Sequence, residues 1–331
     1  MTDKTTSIER AAAMLGRNAE ESAVERAARL MEQGRMEGGQ HADVLLDLGV
    51  LGQVEPDSGS LSWRADQAGA PVRPMPRKGA TESRSTTIDF DAMSKKGLLS
   101  PLGEKTRVAE EYRLIKRFVL AKAFGRAGGR AENDNLVMIT SAKPREGKTF
   151  TAINLAISIA LERDVHVLLV DADLVRPTIL RSLGLEAERG LIELLEDPKL
   201  DVSDVMLRTN IDRLSVLPAG SFHHMSPELI TSERMAQLAS DLATRYPDRV
   251  IIFDSPPLLA TSEPTMLARL VGQIIFVVEA ERTSEAAVRS ALELISDCQD
   301  VMMVLNKARA GVGTQNFGSY YSYYGRKRRK R

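Results

Sequence analysis

The residues best suited to chemistry lie in the stretch LVMITSAKPREGKTFT, residues 136–151. An apolar run gives way there to a short polar loop, and Gly147, Lys148 and Thr149 open a helix-like stretch. Counted from Ala142, the spacing A-x-x-x-x-G-K-T is that of a phosphate-binding loop, with Ala in place of the usual first Gly. The pattern predicts a site for the phosphates of a nucleotide, and a chance G-K-T at a strand-to-helix turn is the alternative.

Each residue type in this loop has a physical role. Gly147 lets the backbone approach a polyphosphate, next to a helix N-terminus that carries partial positive charge. Lys148 would place a cation on the terminal phosphates, and the Thr149 hydroxyl would ligate Mg²⁺, so ATP and Mg²⁺ are the predicted cofactors. Asn306 is a predicted adenine contact, with a turn cap as the alternative. The predicted nucleotide-binding residues are Ala142, Lys143, Pro144, Arg145, Glu146, Gly147, Lys148, Thr149, Phe150 and Asn306.

Two later apolar runs end in aspartates. VLLVDADLVRP places Asp171 and Asp173 after one run, and VIIFDSPP places Asp254 after another. Because parallel strands end at one edge of a sheet, all three should emerge beside the phosphate loop. Thr149, Asp171 and Asp254 are the predicted metal ligands, and Asp171 or Asp173 could accept a proton during transfer. Any one aspartate could simply cap a loop, but three in these positions predict a catalytic site with Lys148.

A sheet must position these residues, and the sequence alternates strands and helices from Asn135 onward. Several apolar runs (VHVLLV, VIIF, QIIFVV and VMMVL) are continuous, as in strands covered on both faces. The alternation predicts an α/β fold, a doubly wound and mostly parallel sheet. The predicted strands are residues 136–141, 165–170, 214–217, 249–253, 273–278 and 301–305, preceded by an amphipathic helix at 104–124.

The 331 residues divide into four predicted parts. Residues 1–54 are an N-terminal helical segment, 55–99 a flexible linker rich in Gly, Ser and Pro, 100–310 the catalytic domain and 311–331 a flexible tail. We expect no membrane span, because no apolar run approaches about 20 residues, and no signal peptide, because the start MTDKTTSIERAAAML lacks a basic end and an apolar core. The single cysteine, Cys298, excludes an internal disulfide and suits a reducing cytoplasm.

The net charge of zero hides a polarised chain. The last six residues, Arg326 to Arg331, are all basic, so the rest has 45 − 6 = 39 basic against 45 acidic residues, a net charge of −6. A cationic end on an acidic body predicts an anionic partner for that end, such as a membrane surface, whereas a solvated end is the alternative. Four of the six tyrosines come just before this run, among glycines that favour flexibility: Tyr320, Tyr321, Tyr323 and Tyr324.

The order SAKPREGKT, VDADLVRP and FDSPP resembles that of the bacterial tyrosine kinases, the autokinases of exopolysaccharide and capsule export, over roughly residues 95–331. SIERAAAML and AEEYRLIKR are similar to the subgroup found beside exosortase-linked exopolysaccharide clusters. The resemblance implies a P-loop NTPase of the nucleotidase type, shared with partitioning ATPases. It also implies that the tail tyrosines of an adjacent subunit are the phosphate acceptors, and that their phosphorylation regulates polysaccharide polymerisation or export.

The same resemblance implies partners. These are further copies in a ring-like homo-oligomer, a membrane activator of the chain-length-determinant type and a tyrosine phosphatase, while no nucleic acid is expected. The implied location is cytoplasmic, at the inner face of the membrane through a partner.

The sequence departs from the family pattern in two places. The family's self-assembly helix reads E-x-x-R-x-x-R, and here Glu110, Arg113 and Lys116 supply it, so a ring could be weaker because Lys lacks the fork of Arg. Val175 stands where the family commonly has a second basic residue.

Lys143 lies near the position at which partitioning ATPases have a lysine that reaches across a dimer. A switch ATPase that dimerises on membrane or DNA is therefore the alternative function, and a binding module acting through its tail is a third.

Overall fold

The computed structural model describes residues 85–103, 106–125, 133–222, 226–298 and 300–308. Seven strands form one sheet in the order β3-β4-β2-β5-β1-β6-β7. Neighbouring strands pair in parallel, except for β3 and β4, which are antiparallel. The strands are β1 (Leu136–Ser141), β2 (His166–Asp171), β3 (Leu207–Arg208), β4 (Leu214–Leu217), β5 (Arg249–Asp254), β6 (Gln273–Glu279) and β7 (Val301–Asn306).

The central strands are covered on both faces, and every residue of β1 and β6 is buried. This burial explains the continuous apolar runs, and it confirms the prediction of a doubly wound, mostly parallel sheet. The six predicted strands are all present, with ends shifted by at most one residue. The short strand β3 was not predicted, because two residues are too few to show a periodic pattern.

The helices pack two apolar clusters onto the two faces of the sheet. Leu136 and Met138 of β1 lie in one cluster, and Val137 and Ile139 lie in the other, as the alternation of a strand requires. Among the described residues, no helix combines the length and apolarity needed to cross a membrane. The helices described are α1 (Phe90–Lys95), α2 (Arg107–Phe124), α3 (Lys148–Ala160), α4 (Ile179–Leu183), α5 (Leu191–Glu196), α6 (Val202–Val205), α7 (Ser226–Ile230), α8 (Glu233–Arg245), α9 (Glu263–Ala268) and α10 (Glu285–Glu293).

Residues 85–99 pack onto the domain and include the helix α1. Ile88, Met93 and Leu98 are buried in the same apolar cluster as residues of α2 and α3. The prediction that residues 55–99 form a flexible linker is therefore wrong for residues 85–99. The few apolar residues of this stretch have no regular spacing, so only tertiary contacts reveal their burial. The remainder of the predicted linker, the helical segment 1–54 and the tail 311–331 lie outside the described residues.

Candidate active site

The phosphate-binding loop joins β1 to α3 at the edge where the parallel strands end. Gly147 is the N-cap residue of α3 and has a left-handed backbone with a φ of 102°. Lys148 and Thr149 follow as the first residues of the helix. A Cβ at position 147 would collide with Nδ2 of Asn306, the last residue of β7. Both the backbone conformation and the available space therefore require glycine.

We expect Gly147→Ala to weaken ATP binding by at least about tenfold, because the new methyl group must displace Asn306 and shift the loop amides. Gly184→Ala is the matched control: Gly184 also has a positive φ, of 71°, but nothing lies within 4 Å of the place that its methyl group would occupy. Both variants should lose about 1 kcal/mol of stability from backbone strain. Titration with a fluorescent ATP analogue separates them, and equal affinities for the two variants would contradict the role of Gly147.

Lys148 is held among carboxylates. Its Nζ lies 2.9 Å from Oδ2 of Asp173, and the two side chains are only 12% and 7% exposed. Burial alone would lower the pKa of Lys148, but Asp254, Asp173 and Asp171 together raise that pKa above its ordinary value. Lys148 is therefore a fixed cation at neutral pH, as a group that binds phosphate oxygens must be.

Thr149 connects the phosphate loop to the two aspartate-bearing strands. Its hydroxyl donates to Oδ2 of Asp254 at 2.6 Å and accepts a hydrogen bond from the Thr178 hydroxyl at 3.1 Å. Thr178 precedes α4, and its backbone amide donates to Asp171. The fold therefore brings together Thr149, Asp171 and Asp254, the three residues predicted to bind metal.

Asp171 and Asp254 end the neighbouring strands β2 and β5 directly opposite each other. Both are buried, and burial raises the pKa of each carboxyl. The charge of Asp254 raises the pKa of Asp171 further, while Lys148 and Thr149 partly offset the rise for Asp254. Two carboxyls this close share their ionisation, so the pair holds a proton more tightly than ordinary aspartates do.

The donors at this edge fit a hydrated Mg²⁺. Oδ1 of Asp171 and Oδ1 of Asp254 are buried without a hydrogen-bond partner, and the Thr149 hydroxyl lies beside Asp254. Mg²⁺ prefers such oxygen donors, and it usually keeps several waters and binds phosphate rather than an all-protein cage.

A buried carboxylate inside the loop fixes the loop's shape. Glu146 is 2% exposed, and it accepts hydrogen bonds from the Lys143 amide at 2.8 Å and from the Thr283 hydroxyl. Thr283 follows β6 and also accepts a hydrogen bond from the Glu279 amide at 3.2 Å.

Two residues of the site were not predicted from the sequence. Thr283 was missed because it lies outside every motif and 137 residues from Glu146. Thr178 was missed as well, although its position just after the VDADLVRP motif was a usable signal.

The end of β7 also supports the loop. Nδ2 of Asn306 donates to the Glu146 carbonyl at 2.9 Å, and Nζ of Lys307 donates to the Arg145 carbonyl at 2.8 Å. The side chain of Asn306 is buried and engaged with the loop, so its predicted adenine contact stays a prediction.

The other predicted nucleotide-binding residues surround this centre. Ala142 is buried at the end of β1, and Lys143, Pro144 and Arg145 form the exposed outer part of the loop. Phe150 is half-buried on the first turn of α3. The exposed residues include two cations, which suits the approach of an anionic nucleotide.

The predicted self-assembly residues on α2 do not all face outward. Glu110 and Arg113 form an ion pair across one helical turn. Lys116 is only 8% exposed, with its Nζ donating to the Ser158 carbonyl at 3.0 Å and pairing with Glu162 at 2.7 Å. Lys116 is therefore engaged within its own subunit. The oligomer stays a prediction, and the four tail tyrosines lie outside the described residues.

Comparisons with known proteins agree on one family. Residues 135–307, more than half of the chain, match the family described as AAA domain (AAA_31). Tyrosine-protein kinase YwqD of Bacillus subtilis is 32% identical over 193 residues, which are 58% of this chain and 78% of that protein. The putative tyrosine-protein kinase CapB of Staphylococcus aureus is 29% identical over 238 residues, which are 70% of this chain and 98% of that protein.

Solved structures agree with these relatives. The kinase domain of the Escherichia coli tyrosine kinase ETK aligns with a TM-score of 0.55 and 27% identity, over 70% of this chain and 85% of that chain. The chimerical protein CapA2B2 aligns with a TM-score of 0.54 and 26% identity, over 68% and 94% of the two chains. The resemblance inferred from the motifs is confirmed. With the phosphate loop and the strand-end aspartates inside the matched residues, the chain belongs to the AAA-domain family and is a bacterial protein-tyrosine kinase that uses ATP.

Proposed function

We propose that the protein transfers the terminal phosphoryl group of Mg²⁺-ATP to tail tyrosines of an adjacent subunit, and that this reaction regulates polysaccharide polymerisation or export. The main support for this proposal is a pair of side-chain contacts at the phosphate loop: Lys148 contacts Asp173, and Thr149 contacts Asp254. Phosphoryl transfer needs mainly positioning and charge stabilisation, and these four side chains supply both. The proposed acceptors are Tyr320, Tyr321, Tyr323 and Tyr324.

Each residue has a part in the proposed transfer. Lys148 and the loop amides bind phosphate, while Thr149 and Asp254 hold Mg²⁺, which when bound would neutralise charge on the phosphates. Asp171 or Asp173 accepts the tyrosine proton, while the other organises metal-bound water. Asp173 keeps the ammonium group of Lys148 in place.

The start of the tail supports transfer between subunits. Asn306 touches the phosphate loop, and the first tail tyrosine, Tyr320, is 320 − 306 = 14 residues further along the chain. A segment of that length can span up to about 50 Å, so the tail tyrosines are not confined to the active site of their own subunit. The basic run Arg326 to Arg331 would draw the tail to an acidic or lipid surface and raise the local concentration of tyrosine there.

Replacing all four tail tyrosines by Phe should remove most phosphotyrosine and leave ATP affinity unchanged, because only the acceptor hydroxyls are lost. The products of incubation with labelled ATP are mapped by mass spectrometry. Tyr246→Phe is the matched control and should label normally. Phosphate found mainly on Tyr246 in the parent protein would defeat the tail as acceptor.

Mixing two variants tests transfer between subunits. Inactive Lys148→Met protein with an intact tail is combined with active protein that carries the four Phe substitutions. Label should appear on the Lys148→Met tail only in the mixture. An unlabelled mixture would favour transfer within one chain. Phosphate release without phosphotyrosine in the parent protein would instead favour the partitioning-type switch ATPase.

The partners in this proposal follow from the family resemblance. They are a ring-like oligomer that uses Glu110 and Arg113, a membrane activator of the chain-length-determinant type and a tyrosine phosphatase that reverses the reaction. Structural similarity to the chimera CapA2B2, whose name combines CapA with the kinase relative CapB, supports the activator. The proposed location is the cytoplasmic face of the membrane.

A further inference from the structure

Residues 85–99, here called the N-terminal strap, cross from the edge of the sheet to the helices beside the active site. Near its start, the backbone of Ile88 exchanges two hydrogen bonds with the side chain of Asn210, at 2.8 and 3.1 Å. At its end, the Leu99 amide donates to Oδ1 of Asn154, a buried residue of α3, at 2.7 Å. The strap is thus attached to the domain at both ends.

Between these attachments the strap holds the C-terminal end of α4. Nζ of Lys96 donates to the carbonyl of Arg181 at 3.0 Å and to the carbonyl of Ser182 at 2.9 Å. The last carbonyls of a helix have no partner within the helix, and a cation there both satisfies them and interacts favourably with the helix dipole. Lys96, although exposed, therefore caps the last turn of α4.

The opposite end of α4 holds Asp171. The amides of Thr178 and Ile179 both donate to Oδ2 of Asp171 at 3.0 Å. With five residues, α4 is about 7.5 Å long, so its two ends lie close together. Ile179 of α4 and Met93 of the strap are both buried in the same apolar cluster.

We infer that Lys96 is a positioning residue for phosphoryl transfer: it holds α4, and α4 holds Asp171. The strap therefore links the chain N-terminal to Ser85 with an active-site aspartate. This inference rests on the proposed role of Asp171 in the reaction. Within the described residues, the hydrogen bonds of the Lys96 side chain go to α4 and not to the phosphate loop, so its loss should change the rate of transfer and spare nucleotide binding.

The test compares Lys96→Met with Lys95→Met in the full chain. Lys95 is the adjacent exposed lysine of α1, which makes it a matched control. We expect Lys96→Met to lower the kcat of autophosphorylation about three- to tenfold, with the KM for ATP unchanged within about twofold. Amides of residues 178–183 in nucleotide-free protein should exchange hydrogen faster in Lys96→Met only. Lys96→Arg should restore most of the rate, because its guanidinium can still donate to both carbonyls.

Two outcomes overturn the inference. One is a Lys96→Met protein with the kcat and the α4 exchange of the parent. The other is a Lys96→Met protein that loses ATP affinity and melting temperature along with kcat, since that pattern indicates a general structural role. If the parent protein forms no phosphotyrosine, the proposed function itself fails. Hydrogen exchange at the amides of residues 178–183 then still tests the link between Lys96 and α4.

Discussion

Lys148→Met should abolish phosphotyrosine formation, lowering the rate of autophosphorylation by at least about a thousandfold. The substitution removes the cation from the phosphates and keeps an unbranched side chain of similar length. Lys148 is the cation that faces Asp173 at 2.9 Å, and the neighbouring carboxylates keep its pKa raised, so its charge is present at any assay pH near neutrality.

The same variant should lose stability, because Asp173 is left as a nearly buried carboxylate without its cation. Removing one partner of a buried pair costs about 3–5 kcal/mol. The double variant Lys148→Met with Asp173→Asn should recover much of that stability and none of the activity. Circular dichroism and melting curves report the fold, while labelled ATP reports the transfer, with Lys95→Met as the exposed-lysine control. Normal labelling by folded Lys148→Met protein would remove the phosphate-loop mechanism.

Asp254→Asn should lower the autophosphorylation rate by at least about a hundredfold, and the remaining rate should require more Mg²⁺ than the parent does. Asn can still accept the hydrogen bond from Thr149, so the loop geometry is kept while the charge that would hold the cation is lost. A titration of rate against Mg²⁺ concentration measures the effect. Rescue of Asp171→Asn, and not of Asp254→Asn, by added Mg²⁺ would mean that the two aspartates have exchanged roles.

Asp254→Asn should also stabilise the metal-free and nucleotide-free protein at high pH. Burial raises the pKa of Asp254 in the folded state, so the folded state binds this proton more tightly than the unfolded state does. That contribution to stability is complete below the ordinary aspartate pKa of about 4 and is lost as the pH rises through the folded-state pKa. The gain in the free energy of unfolding should be near zero at about pH 3 and ~1–3 kcal/mol at pH 8. A gain independent of pH would show that the raised pKa is not its cause.

Part of the site could be predicted because its residues are adjacent in the sequence. The loop residues 142–150 and the aspartates at the ends of β2 and β5 form short motifs, and continuous apolar runs mark the strands that carry them. Parallel strands bring their ends to one edge, so Asp171 and Asp254 could be expected beside the phosphate loop. The strand order that makes them direct neighbours came from the structure.

Other contacts could not be predicted, because they join residues far apart in the chain. Thr283 reaches Glu146 across 137 residues, and Asn306 reaches the same residue across 160. The direction of the Lys116 side chain could not be predicted either, and its ammonium group turns toward the end of α3. The direction in which a long side chain points depends on its packing, and the spacing of residues in the sequence does not reveal that packing.

Six of the seven strands, the phosphate loop and the charged residues at the strand ends could be predicted, because apolar periodicity and motif spacing are local properties of the chain. How these groups are held became visible only in the folded chain. The tertiary structure placed Thr178 and α4 on Asp171, and it brought the strap, from what was predicted to be linker, onto α4 through Lys96. A hydrogen bond to a backbone carbonyl or amide can be made by any suitable polar side chain that packing brings within about 3 Å, so it leaves no pattern in the sequence.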